Sequence, residues 1–290
     1  MQFRHVPLIG LQVILKRQAP AKLNLGLHVL RKRSDGYHDL ETVFLRILWA
    51  DTLTARPAEQ LTLTCSDSSL TTDETNLVMK TALALAEVCG VAQGAALHLE
   101  KRLPHGAGLG GGSSDAAATL RLLADLWKLD VAEATLHRLA LALGSDVPFF
   151  LGAAAAHATG RGEVLTPLPG YHLPFWLVVV VPPVSVSTAS AFARIRPHDT
   201  HRPDLRALVA SNDLARWRTD LVNDFEAPIF ETYPLIRTVK ETLLEAGAGY
   251  AAMSGSGSAV FGVFEEEEQA CAAAEAARQA EHRVWWGGGL

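Results

Sequence analysis

The chain is short of cysteine and has no surplus of positive charge. Its three cysteines, Cys65, Cys89 and Cys271, lie far apart and form no Cys-x-x-Cys pair. That excludes a disulfide-stapled scaffold and a cysteine-built metal cage, and points to free thiols in a reducing, cytoplasmic compartment. Lys and Arg number 26 against 31 Asp and Glu, giving a net charge of −5 with no basic block. Sequence-independent binding of nucleic acid needs cations that neutralise phosphates, so no nucleic-acid partner is expected. No apolar run reaches the ~18–20 residues of a membrane span, so no membrane partner is expected either. The longest candidate, Phe175–Val181, has the length of a buried strand. Near the N-terminus, Arg4 precedes an apolar stretch, Val6–Leu15, that Pro7 and Gly10 interrupt. Lys16-Arg17 follows where small residues should lead to a cleavage site, so an N-terminal extension or an over-long start fits better than a signal peptide.

What is present is a glycine loop. Five glycines in seven residues, Gly106, Gly108, Gly110, Gly111 and Gly112, run into Ser113-Ser114-Asp115-Ala116-Ala117. Glycine lets a backbone take positive φ and approach a ligand closely. The serines read as the N-cap of a following helix, Ser113 or Ser114. A glycine loop feeding a helix N-terminus presents free N–H groups and the positive dipole end, which suits a phosphate chain. It is not a P-loop, because no Lys follows Gly112. It fits the dinucleotide fingerprint poorly, because the acid that follows, Asp125, lies 14 residues past Gly111 inside the expected helix.

The 290 residues, 49% of them hydrophobic, suffice for one large or two modest domains with a proper core. Strict alternation over Lys22–Val29 predicts a half-buried strand with Lys22, Asn24, Gly26 and His28 on one face. Strands are also predicted over Val43–Trp49, Leu61–Thr64 and Leu97–Glu100, and helices over about Asn76–Cys89 and Asp115–Lys128. A third helix, Val131–Leu143, carries Asp130 and Glu133 as a capping-box pair and Gly144 as its terminator. Gly160-Arg161-Gly162 reads as a turn between two strands. Pro167, Pro169 and Gly170 mark a domain boundary, giving domains 1–168 and 169–290. The second half restarts with the strand Phe175–Val181, then a helix near Leu235–Leu244. Two further strands, Tyr250–Ser254 and Ala259–Phe264, flank a second glycine turn at Ser254–Ser258, and an Ala-rich helix Glu265–Ala280 follows. The class is α+β in two domains.

Several segments carry candidate chemistry, each with a plain structural alternative. Lys22 and Asn24 share a strand face about 7 Å apart, which fits an edge strand with its polar face in water as well as an ammonium placed where negative charge gathers. Asp146, just before Pro148, fits a helix cap or a carboxylate that accepts a hydroxyl proton. Tyr37 and His38, after the Ser34-Asp35-Gly36 turn, fit a strand start or a stacking ring beside a hydrogen-bonding ring for a nucleobase. The Ser254–Ser258 turn fits a plain hairpin or a contribution to a site shared with the first loop.

Together these segments resemble the GHMP kinases, the family of galactokinase and of homoserine, mevalonate and phosphomevalonate kinases. The resemblance runs from about Pro20 to Phe264 and rests on Ala19-Pro20-Ala21-Lys22-Leu23-Asn24, Pro104–Ala117, Gly144-Ser145-Asp146-Val147-Pro148 and Met253-Ser254-Gly255-Ser256-Gly257. It implies a ribosomal protein S5 domain 2-like N-terminal domain, a ferredoxin-like C-terminal domain and an active site in the cleft between them. Asp35-Gly36-Tyr37-His38 resembles the element of the branch acting on a cytidine diphosphate-linked methylerythritol, whose 2-hydroxyl receives the γ-phosphoryl of ATP on the non-mevalonate route to isopentenyl diphosphate. By this resemblance Asp146 is the catalytic base and Lys22 its charged partner. Pro104, His105, Gly106, Ala107, Gly108, Leu109, Gly110, Gly111, Gly112, Ser113 and Ser114 hold ATP. Asn24, Tyr37, His38, Thr188 and Phe192 meet the acceptor. Mg²⁺ is expected with ATP, and its protein ligands stay unassigned; Ser113 or Ser114 could touch it, with ATP oxygens and water completing its shell. A mevalonate- or homoserine-type kinase and a non-catalytic nucleotide-binding module stay open as alternatives. The first ~19 residues, counted to the expected strand start, and the tail ending Trp285-Trp286-Gly287-Gly288-Gly289-Leu290 lie outside the resemblance.

Overall fold

A computed structural model describes residues 13–288; most of the N-terminal stretch read as an extension or over-long start lies outside them. The first half supplies β1 (Leu15–Lys32), β2 (His38–Ala58), β3 (Thr62–Cys65), α1 (Leu77–Cys89), β4 (Gly94–Glu100), α2 (Gly111–Leu126), α3 (Glu133–Leu143), α4 (Val147–Leu151), β5 (Ala155–Thr159) and β6 (Val164–Pro167). Its strands make one six-stranded sheet in the order β3-β4-β2-β5-β6, with β1 antiparallel to β2 along its length. The second half supplies β7 (Trp176–Val181), α5 (Thr188–Arg194), α6 (Leu205–Ala210), α7 (Leu214–Asp220), α8 (Glu226–Thr232), α9 (Pro234–Glu245), β8 (Tyr250–Met253), β9 (Val260–Phe264), α10 (Glu267–Gln279) and β10 (Arg283–Gly288). Its four strands pair antiparallel in the order β10-β7-β9-β8, the ferredoxin-like arrangement.

Hydrophobic patterning explains the layers. Leu53, Leu97 and Leu99 of the large sheet pack on apolar residues of α1, α2 and α3 such as Leu85, Leu120 and Leu136. Another set on the same sheet, Leu23, Leu25, Val43 and Leu45, joins Leu177, Val179, Phe261 and Val263 of the small sheet and Leu205, Trp217 and Leu221 in one core. The small sheet is thus covered on both faces, since Val178, Val180 and Val260 pack with residues of α8, α9 and α10. That is why β7 reads as an unbroken apolar run rather than an alternating one. Among the described residues no helix is long and apolar enough to cross a membrane.

The structure corrects several local expectations. β1 begins at Leu15, not near Pro20, and Lys22, Asn24 and His28 are buried rather than solvated. The outer edge of β1 is covered: Lys22 N–H donates to Leu109 O and Leu27 N–H to Val222 O, both at 2.9 Å. Register shifts at Pro20/Ala21, Leu25/Leu27 and Val29/Arg31 break the alternation. α2 starts at Gly111, so neither serine is its cap; Gly110 takes that place with φ +70°. The capping box of α3 does not form: its N-cap is Ala132, not Asp130, so Glu133 stands at the first helical position and instead makes a forked pair with Arg121 at 2.5 and 2.7 Å. In the C-terminal tail, outside the resemblance, Trp285 and Trp286 lie in β10, paired with β7. α5 to α8, short helices without long periodic patterns, escape the sequence reading.

Candidate active site

The glycine loop is held from both domains. Gly106, Gly108 and Gly110 all take positive φ. Leu109, buried among the glycines, anchors the loop in the shared core. A side chain on Gly108 would sit 2.1 Å from Ser254 O, so only glycine lets the two glycine turns touch. Ser254 Oγ donates to Gly108 O at 3.0 Å, and Ala259 N–H donates to Ala107 O at 3.0 Å. Asn223, which no motif marks, fixes the second turn by donating from Nδ2 to Met253 O and Gly255 O at 2.7 and 2.8 Å. Starting α2 at Gly111 leaves its first N–H groups without intrahelical partners, facing the end of the loop.

Two hollows meet at this loop. A groove of about 560 Å³ is lined by Pro104, His105, Gly106, Ala107, Gly108, Leu109, Gly110, Gly111, Gly112 and Ser113, with Asn76 and Lys101 opposite. Ser114 does not line it; its hydroxyl is buried with no hydrogen-bond partner among the described residues. A cavity of about 720 Å³ between the domains is lined by Lys22, Asn24, Tyr37, His38, Asp146, Thr188 and Phe192, among others. Gly108 and Gly110 border both. All the side chains expected to act on or bind the acceptor therefore open into one space.

Lys22 is 4% exposed and lies against the loop: a side chain on Gly110 would come within 3.1 Å of Lys22 Cγ. Its ammonium donates to Asn24 Oδ1 at 2.6 Å and stands 3.7 Å from Asp146 Oδ2, an ion pair rather than a hydrogen bond. Thr42, not singled out by any sequence signal, orients Asn24 by accepting from its Nδ2 at 3.0 Å. Burial pulls the Lys22 pKa below its ordinary value, and the Asp146 carboxylate only partly offsets this. Asp146 precedes α4, with proline in the first turn, yet its side chain caps nothing, so the capping alternative fails. The ring of Phe44 lies 5.1 Å from the Lys22 ammonium.

The rings that line the cavity pack on one another. His38 lies flat on Phe192, centroids 4.9 Å apart and planes 19° apart, with Phe225 edge-on behind Phe192. Partial burial and nearby Lys32 pull the His38 pKa down, favouring the neutral imidazole. Tyr37 is 54% exposed and carries the Arg161 guanidinium over its ring at 4.7 Å. Thr188 Oγ1 lies 3.2 Å from Ser256 Oγ, joining α5 to the second glycine turn.

Beneath the loop is a buried charge cluster that the sequence reading passed over. Lys101 contacts Asp51 and, at 3.0 Å, Asp115 of α2. Asp51 also accepts from the N–H groups of Arg102 and Leu103 at 2.5 and 2.8 Å, fixing the approach to the loop. One oxygen of Asp115 has no partner among the described residues. Burial drives the Asp115 carboxyl up to about 7, against the pull of Lys101. Burial alone would lower Lys101, but Asp115 and Asp51 outweigh it and its pKa ends above the ordinary value.

An S5-like domain and a ferredoxin-like domain, enclosing a glycine loop and a Lys–Asp pair, define a small-molecule kinase fold. Residues 76–153 match the family described as GHMP kinases N terminal domain, and residues 204–282 match GHMP kinases C terminal. The chain belongs to the GHMP kinase family. It is 53% identical over 275 residues to the 4-diphosphocytidyl-2-C-methyl-D-erythritol kinase of Salinibacter ruber, covering 93% of this chain and 97% of that one. To the protein of the same name from Chlorobium phaeobacteroides it is 50% identical over 257 residues, 86% of this chain and 88% of that one. A crystal structure of 4-(cytidine 5'-diphospho)-2C-methyl-D-erythritol kinase superposes with a TM-score of 0.81 at 39% identity, covering 95% of this chain and 99% of that one.

Proposed function

We propose that the chain transfers the γ-phosphoryl of ATP to the 2-hydroxyl of 4-diphosphocytidyl-2-C-methyl-D-erythritol. The substrate comes from the names of the relatives. One observation carries the reading on this chain: the Lys22–Asp146 pair and the His38/Phe192 rings line a single cavity that shares Gly108 and Gly110 with the nucleotide groove. The division at 168/169 is supported by the two sheets lying on either side of it.

In this mechanism the triphosphate lies along residues 104–113, its oxygens accepting from loop and α2 N–H groups. The acceptor hydroxyl sits at Asp146. As its oxygen bonds to the γ-phosphorus, the bond from that phosphorus to the bridging oxygen breaks, and the hydroxyl proton passes to Asp146. The transition state is loose, with charge spread over the equatorial oxygens, so the Lys22 ammonium acts mainly by neutralising that charge. Asn24 and Thr42 keep the ammonium in place. Among the described residues there is no group of three or more His, Cys, Asp or Glu that could hold a metal. A Mg²⁺ carried in by ATP would meet Ser113, the serine that lines the groove, with ATP oxygens and water completing its shell. Such an ion would neutralise phosphate charge during transfer.

The test is phosphoryl transfer from ATP measured with the cytidyl substrate, mevalonate and homoserine in parallel. Turnover confined to the cytidyl substrate is expected. Equal or faster turnover of mevalonate or homoserine, or ATP binding without transfer to any of the three, would overturn the proposal.

A further inference from the structure

Arg161 sits at the tip of the Gly160-Arg161-Gly162 turn between β5 and β6. The turn is rigidly placed: Leu40 N–H donates to Gly160 O at 2.7 Å, and Gly162 N–H donates to Thr159 O at 3.1 Å. It also lies against the reacting end of the site. A side chain on Gly162 would come within 3.5 Å of Asp146 Oδ1 and 3.6 Å of the Phe44 ring. From this position the Arg161 side chain reaches back over Tyr37, 4.7 Å from its centroid. Arg161 thus stands on a turn packed against Asp146, with its side chain over Tyr37 in the lining of the same cavity.

Charge accounting points the same way. The charged side chains lining the cavity are Lys22, Lys32 and Arg161 on one side and Asp146 on the other. Lys22 is matched by Asp146 at 3.7 Å. Arg161 is matched through Nε by Glu163 at 3.5 Å, with the Asp35 carboxylate also near enough to feel its charge, but its terminal nitrogens make no hydrogen bond among the described residues; Lys32 has no ion-pair partner there. A cavity lined by three cations and one carboxylate, with Lys32 unpaired among the described residues and the terminal nitrogens of Arg161 unengaged, is built for an acceptor that carries anionic charge between a base and an alcohol. The guanidinium lies over the Tyr37 ring, and its terminal nitrogens are available for the forked recognition of phosphate oxygens that arginine favours.

We propose that Arg161 binds the diphosphate of the acceptor and so makes the cavity select nucleoside diphosphate-linked alcohols over unlinked ones. This rests on the function proposed above, which it deepens.

The test fills the nucleotide groove with a non-hydrolysable ATP analogue and titrates cytidine and cytidine diphosphate into wild type, Arg161→Ala and Arg161→Lys. Wild type should bind the diphosphate more tightly than the nucleoside. Arg161→Ala should lower that preference about 10- to 100-fold, the range for a charged hydrogen bond, and leave cytidine binding unmoved. Arg161→Lys should keep part of it. In turnover assays Arg161→Ala should raise the KM for the cytidyl substrate by a similar factor and leave the KM for ATP unchanged. If Arg161 merely props Tyr37, cytidine and its diphosphate weaken together and the proposal falls. It falls equally if wild type shows no preference for the diphosphate. An Arg161-dependent preference in a protein that fails to phosphorylate the cytidyl substrate would sink the proposed reaction and leave the binding role standing.

Discussion

At the scale of single residues, the site depends on one carboxylate and one ammonium brought together from positions 124 residues apart in the chain. Asp146→Asn keeps the shape of the side chain and removes its ability to take a proton. Turnover should drop by ~10²–10⁴-fold, while equilibrium binding of an ATP analogue stays near wild type. Near-normal turnover in that variant would take Asp146 out of the chemistry. Lys22 makes a pH prediction of definite sign. Its useful form is the charged one, present below its pKa, and burial sets that pKa below the ordinary 10.5. Raising the pH should therefore cut kcat/KM along a limb that begins below 10.5, the pH at which a free lysine would titrate. A profile that stays level through that region would show that the ammonium is not needed. The sequence could place Lys22 and Asn24 on one strand face because a strand repeats every two residues. It could not show that this face is buried, since the cover comes from Leu109 and Ser254, far away in the chain. Thr42 and Asn223 were illegible for the same reason: each acts by orienting a backbone or amide group from another segment. Arg161 left a faint trace, a long cation between two turn glycines, but what it faces is a property of the fold.

At the scale of elements, α2 carries the phosphate loop, and its first turn is tied to the sheet through Asp115, Lys101 and Asp51. Glycines, serine and alanines in a row made the loop and the helix legible. The start of the helix was misread by four residues, because serines are good caps and Gly110 is seen to be the cap only once its φ of +70° is known. The charge cluster was not legible, since its members come from β2, the segment after β4, and α2. It has a consequence for stability. Asp115 holds its proton up to about pH 7 in the folded chain against an ordinary value of 3.8. The unfolded chain releases that proton earlier as pH rises, so this group's contribution is full below about 4 and is lost progressively until the pH passes about 7. The groups facing it are Lys101, Asp51 and the Cys65 thiol of β3, which burial pushes up. Carboxylates such as Glu41, held down at about 2 by His157 and His28, act in the opposite sense at acid pH. The comparison must therefore be between wild type and Asp115→Asn. The difference in unfolding free energy between the two should change across pH 4–7, the window between the ordinary and shifted values, and level off above it. A constant difference across that window would mean that Asp115 ionises normally.

At the scale of the whole molecule, the two sheets share one core, and the active site is a gap left in the surface of that core. Leu23, Leu25, Val43 and Leu45 from the first half contact the same cluster as Trp217, Leu221, Phe261 and Val263 from the second. Leu109 of the phosphate loop is buried there too, so the grip on nucleotide depends on packing supplied by the other domain. Two domains built this way should unfold as one unit, in contrast to domains joined by a linker. Trp217 tests the idea. It is fully buried, its Nε1 donates to Leu208 O at 2.7 Å, and it packs edge-on to Tyr250 at 5.7 Å, all within the second half. Trp217→Ala should destabilise the chain by about 3–5 kcal/mol, as expected for a large core aromatic. The midpoint should fall for the entire chain, with residues of α1 and α2 losing hydrogen-exchange protection together with those of β8 and β9. An ATP analogue, which contacts mainly the first half in the proposed mechanism, should restore the midpoint of both halves in step, by mass action on a single folded state. If the second half melts first while the helices over the large sheet stay protected, the shared core does not couple the domains. The cleft would then be an interface that opens independently of folding.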